Sequence, residues 1–120
     1  MKVKVSEFIA DYFVKQGIDT IFTVVGGGAM HLNDSLGHNK KIRCIYHHHE
    51  QAAAMAAESY FRIKTKMAGV CVTSGPGAIN TLTGVAGAYQ DSIPMIVISG
   101  QTKTSLMTVN SGLELRTLGN

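Results

Sequence analysis

Tryptophan is absent from these 120 residues, proline and cysteine occur only twice each, and charged side chains make up just 16%. The two cysteines, Cys44 and Cys71, lie in apolar, strand-like runs without Cys-x-x-Cys or zinc spacing. That argues against a disulfide scaffold or structural zinc, and predicts buried free thiols in a reducing cytoplasm. No apolar run approaches membrane-spanning length, and Met1–Glu7 lacks the apolar core of a signal peptide. The expectation is a cytoplasmic protein without a membrane partner. The net charge of +3 is dispersed; the densest basic group, Arg62, Lys64 and Lys66, reads as a solvated helix end, which argues against nucleic-acid binding. So little charge beside 45% hydrophobic residues predicts that part of the outer surface is buried against a partner.

Several catalytic signatures are missing too. There is no Gly-x-Ser-x-Gly elbow, and no lysine follows a glycine-rich loop as in a phosphate-binding loop. The run His47-His48-His49-Glu50 is not a zinc-protease helix, because position 53 holds Ala where a second His is needed. Consecutive histidines at a strand end also point in different directions, so no metal ligand set is predicted. His38 reads as a surface or pocket-lining residue.

What is present is an alternation of strands and helices. Phe8, Ile9, Tyr12 and Phe13 fall at helical spacing after Ser6, read as an N-cap, with Gly17 as the stop. Strands are predicted over 20–25, 42–46, 70–73 and 95–99, and helices over about 29–37, 50–64 and 76–89. Strands apolar on both faces, separated by helices, predict a doubly wound α/β fold with a parallel sheet. Ligands of such sheets bind at the carboxyl ends of the strands. Gly26-Gly27-Gly28, His49-Glu50, Ser74-Gly75-Pro76-Gly77 and Gly100-Gln101 all fall there. From Thr102 to Asn120 the pattern weakens. The whole chain, 1–120, reads as one domain, and the sequence predicts that it belongs to a longer protein.

Glu50 opens the alanine-rich helix. A carboxylate there can simply cap the helix, whose positive end favours its ionised form. It can also exchange protons, since neighbouring Ala and Met oppose that charge. Gly75-Pro76-Gly77-Ala78-Ile79-Asn80 follows a strand and opens a helix, like a dinucleotide fingerprint, but Asn80 stands in place of the third glycine. These glycines either admit a ligand or only seat the helix. Ala52, Ala53, Ala56 and Ala57, with Gly84 and Gly87, give two helices small surfaces that suit packing on each other or on a second subunit. Three readings therefore stand at this point: an enzyme using Glu50, a nucleotide-binding module built on Gly75-Pro76-Gly77, and an inactive dimerisation domain.

Taken together, Gly26-Gly27, His49-Glu50-Gln51-Ala52-Ala53, Thr73 through Asn80, Asp91-Ser92-Ile93-Pro94 and Ser99-Gly100-Gln101 resemble, in order, the N-terminal pyrimidine-binding domain of thiamine-diphosphate enzymes, and most nearly the acetolactate synthase large subunit. The resemblance implies a thiamine-diphosphate-dependent carboligase or decarboxylase acting on a 2-keto acid. It implies that Glu50 hydrogen-bonds N1′ of the cofactor's aminopyrimidine, and that Val25, Gly26, Gly27, Thr73, Pro76 and Asn80 line the cofactor site, with His31 and Gln101 on the substrate side. It implies a homodimer or tetramer whose active site forms between subunits. In the family the diphosphate is held through Mg by a Gly-Asp-Gly motif in a separate C-terminal domain, and this sequence contains no Gly-Asp-Gly. The chain is thus expected to supply half a site and to be inactive alone; FAD is left open. Two departures bear on the choice of keto acid: Val24-Val25 stand where acetolactate synthases carry Tyr-Pro, and Ser111-Gly112-Leu113-Glu114 where they carry Phe-Gln-Glu.

Overall fold

The computed structural model describes residues 2–107. Residues 111–114, one of the two departures, lie outside them. Strands β1 (Thr20–Thr23), β2 (Arg43–Tyr46), β3 (Ala68–Val72) and β4 (Met95–Ser99) form one parallel sheet in the order β2-β1-β3-β4. The α/β architecture expected from the sequence is the one observed. Every residue of the central strands β1 and β3 is buried, as a parallel sheet covered on both faces requires.

Alternation along the strands sorts the core into two layers. Ile21 and Cys71 pack with Phe13, Ile18, Leu36 and Ile42 under α1 (Val5–Lys15) and α2 (Met30–His38). Phe22, Val70 and Val72 pack with Ala53 and Ala57 of α3 (Glu50–Lys64) on the other face. Burial pushes the Cys71 thiol up to about 11 and raises Cys44 as well, so both are poor nucleophiles.

Three local readings change. Ser6 is not a cap: Lys4 occupies that position, while Ser6 is buried inside α1 and accepts a hydrogen bond from Ser35 Oγ at 2.8 Å. Gly17 does follow the helix end, at φ +78°. The predicted helix over 76–89 is two pieces, α4 (Pro76–Ile79) and α5 (Leu82–Gln90), interrupted at Asn80-Thr81. Strand β1 ends at Thr23, and a 3-10 turn over Gly27–Ala29 leads into α2.

The two small-surfaced helices pack on each other. A Cβ at Gly84 of α5 would sit 2.6 Å from Ala54 Cβ and 3.1 Å from the α3 backbone. Ala53, which the sequence offered for a subunit contact, is buried beneath α3 against the sheet.

Candidate active site

From β1 the chain winds out through α2 to β2, then crosses back through α3 to β3 on the other side. The carboxyl ends of β1 and β3 therefore flank the point where the strand order reverses, the place where open α/β sheets bind ligands. Residues 24–29 leave β1 there and residues 73–77 leave β3.

Thr73 joins these two loops. Its hydroxyl accepts a hydrogen bond from Gly28 N at 3.0 Å. A Cβ at Gly26 would come within 2.5 Å of its Cβ, and one at Gly77 within 2.7 Å of its Cγ2. Only residues without side chains let both loops approach this threonine so closely. The neighbouring Gly75 has φ +61° and ψ −126°, a backbone that favours glycine and turns the chain into α4. Gly100 packs on the Gly28 carbonyl, and its N–H donates to Val72 O at 2.8 Å, which ties the end of β4 to the same edge.

Glu50 is the first residue of α3, half-buried at this edge. Asn80 Nδ2 donates to Glu50 Oε2 at 2.9 Å. Asn80 can reach because the helix breaks there, between α4 and α5. No cation pairs with Glu50 among the described residues, and Asn80 is its one side-chain partner there. The other oxygen, Oε1, lies 3.4 Å from where a Gly77 Cβ would be. One carboxylate oxygen is thus held and the other left open beside a glycine.

Of the other expected site residues, Val25 is 61% exposed and next to Gly26, and Pro76 is exposed at the start of α4. Gly27 is exposed and opens the 3-10 turn. Gln101 is exposed and accepts a hydrogen bond from Thr102 N at 2.8 Å. His31, the second residue of α2, lines a cavity of about 350 Å³ between α1 and α2 with Lys4, Val5, Ser6, Ile9 and Leu32. Glu50, Asn80, Gly77, Thr73 and Gly26 come together through these contacts.

The donor set suits a flat nitrogen heterocycle: an open carboxylate oxygen, an amide, exposed apolar Val25, and glycines that leave room. Among the described residues no three His, Cys, Asp or Glu group as a metal site. The nucleotide reading loses its basis. α4 is only four residues long, too short to present the sustained dipole of a phosphate-binding helix.

Two features escaped the sequence. His49 caps α3, accepting a hydrogen bond from Gln51 N at 3.2 Å. Its place before an alanine-rich helix was the available signal. Asn33 Nδ2 donates to Thr23 Oγ1 at 3.1 Å, and Thr23 in turn donates to Cys71 O at 2.7 Å. Asn33 Oδ1 is buried without a partner among the described residues. No local sequence pattern marks this trio.

The family model for "Thiamine pyrophosphate enzyme, N-terminal TPP binding domain" matches residues 3–114. The acetolactate synthase large subunit of Buchnera aphidicola (subsp. Schizaphis graminum) is 42% identical over 114 residues, covering 95% of this chain and 20% of that protein. The same subunit of Haemophilus influenzae is 36% identical, covering 98% and 21%. Acetolactate synthase isozyme 3 large subunit of Escherichia coli is 38% identical, covering 95% and 20%. The chain thus spans no more than 21% of the length of these relatives. With a glycine-lined edge, a half-held carboxylate and this match over residues 3–114, the chain belongs to the family of N-terminal thiamine-pyrophosphate-binding domains of thiamine pyrophosphate enzymes.

Proposed function

We propose that this chain forms the pyrimidine-binding half of a thiamine-diphosphate-dependent enzyme that decarboxylates and ligates 2-keto acids, as an acetolactate synthase does. The Glu50–Asn80 pair at the strand-order switch carries the reading. Thiamine diphosphate, when bound, supplies the electron sink for decarboxylation. Glu50 holds a proton at N1′ of the pyrimidine through its open oxygen, while Asn80 fixes the other oxygen and so the plane of the carboxylate. Val25 and Pro76 give the ring apolar walls, and Gly26, Gly27 and Thr73 shape the floor. Mg and the diphosphate are bound by a part of the protein outside this sequence. A role for His31 or Gln101 at the substrate rests on the family resemblance alone.

The working enzyme is a homodimer or tetramer in the cytoplasm. Among the described residues no helix is long and apolar enough to cross a membrane. Leu82 and Tyr89 of α5 are 59% and 87% exposed one heptad apart, and Met55 of α3 is 41% exposed. This outward apolar stripe supports self-association. Leu82→Asp is expected to shift the chain toward monomer in light scattering; an unchanged mass, or a wild-type chain that is already monomeric at high concentration, removes this surface from the proposal.

Transplantation tests the function. Residues 3–114, placed in the E. coli isozyme 3 large subunit in exchange for the matching segment, are expected to sustain C2 proton exchange of thiamine diphosphate. A folded hybrid that binds the cofactor without exchanging that proton would sink the reading. The chain alone, which has no Gly-Asp-Gly motif, is expected to show no binding by calorimetry at micromolar cofactor with Mg.

A further inference from the structure

The residue before Glu50 does chemistry-dependent structural work that a conventional cap cannot. His49 has extended backbone, φ −151° and ψ 137°, and its Nδ1 accepts from Gln51 N at 3.2 Å. A backbone N–H can only donate, so Nδ1 carries no proton in this arrangement, and the neutral ring is protonated on Nε2. Asn, Asp or Ser would make the same bond at any ordinary pH. An imidazole makes it only while Nδ1 keeps its lone pair. Protonation of the ring removes the acceptor and puts positive charge at the positive end of α3.

We infer that His49 is a positioning residue for Glu50, a cap on α3 that holds the first helical turn only while its ring is neutral. The inference rests on the reading of Glu50 given above. Glu50 is the first residue that the cap orders, and Ala53 N closes the first helical hydrogen bond back to His49 O at 3.1 Å. Loss of the Gln51 bond therefore loosens the turn from which the carboxylate reaches Asn80.

The groups that can influence the ring are few. On its own segment they are His47, His48, Tyr46 and Glu50. His47 is engaged elsewhere, edge-on to Phe22 at 5.6 Å between ring centroids, with Nδ1 on Ile45 O. Of the elements packed most closely on α3, β3 contributes Cys71 and α5 Tyr89, and the loops over 24–29 and 73–81 contain no titratable side chain. β2 adds Arg43 and Cys44, before Tyr46 on the same strand. Glu50 is the nearest charge in sequence.

Amide NMR of this chain between pH 8 and 5 decides the matter. The Gln51 amide shift is expected to follow the His49 ring signal with one midpoint, and its protection from exchange to fall roughly fivefold or more at the acid end. In His49→Asn the amide should stay protected and pH-independent. In His49→Ala protection should be lost throughout, without titration. A Gln51 amide indifferent to the His49 ring, or an Asn variant that still titrates, overturns the inference. The measurement involves no cofactor, so the cap stands or falls separately from the function: exchange-competent Glu50→Gln would refute the functional reading while leaving the amide titration untouched.

Discussion

Glu50→Gln in the transplanted hybrid is expected to lower the C2 proton-exchange rate of thiamine diphosphate about a hundredfold or more, the usual contribution of a positioned general acid or base. The substitution preserves shape. A glutamine oxygen can still accept from Asn80 Nδ2, so the bond at 2.9 Å survives. What is lost is the ability to hold and return a proton at the open side of the group. Cofactor binding, which depends on the diphosphate and metal held elsewhere, should weaken far less than exchange. An exchange rate within threefold of the unsubstituted hybrid would show that Glu50 serves only the start of α3, through its charge and its bond to Asn80.

The second large effect is on stability. Gly84→Ala gains helix propensity, worth about 1 kcal/mol at an exposed site. Against that stands a methyl group built 2.6 Å from Ala54 Cβ and 3.1 Å from the carbonyl carbon of Ala54 and the nitrogen of Met55. Two of those contacts are backbone and cannot swing away. Overpacking of this kind costs about 1–3 kcal/mol, and the rigid neighbours place it at the upper end, so the net change is destabilising. Gly87→Ala is the control: its Cβ would meet only Glu58 Oε2, at 3.5 Å, an ordinary contact. Thermal unfolding should give a lower Tm for Gly84→Ala and an equal or higher one for Gly87→Ala. Equal melting of the two variants would mean that α3 and α5 can separate without penalty.

The sheet was legible because its signals are local. Thr20 to Thr23, Ala68 to Val72 and Met95 to Ser99 are short β-rich runs bounded by turn residues, and period and composition suffice to find them. Glu50 is conspicuous in the sequence as a carboxylate before an alanine run, but its hydrogen bond to Asn80 is not. Elsewhere long-range contacts overruled local rules. Ser6 has the chemistry of a cap, yet its hydroxyl meets Ser35, 29 residues away. Asn80 and Thr81 break a helix that composition would continue; Asn80 bonds to Glu50, 30 residues back, and Thr81 Oγ1 turns onto Ala78 O at 2.6 Å.

The position of β4 has a consequence for anyone handling this chain. Among the described residues Met95-Ile96-Val97-Ile98-Ser99 is a border strand of the sheet, bonded on one side to β3, and it carries neither charge nor proline. Sheet proteins usually blunt such borders with lysine, proline or a bulge. Here Ile96, Val97 and Ile98 are three consecutive β-favouring residues on a strand edge that no described residue pairs, the composition from which intermolecular cross-β stacking starts. Stocks kept concentrated or warmed should therefore accumulate β-rich aggregates, and a lysine at Val97, which is 36% exposed, should slow their appearance.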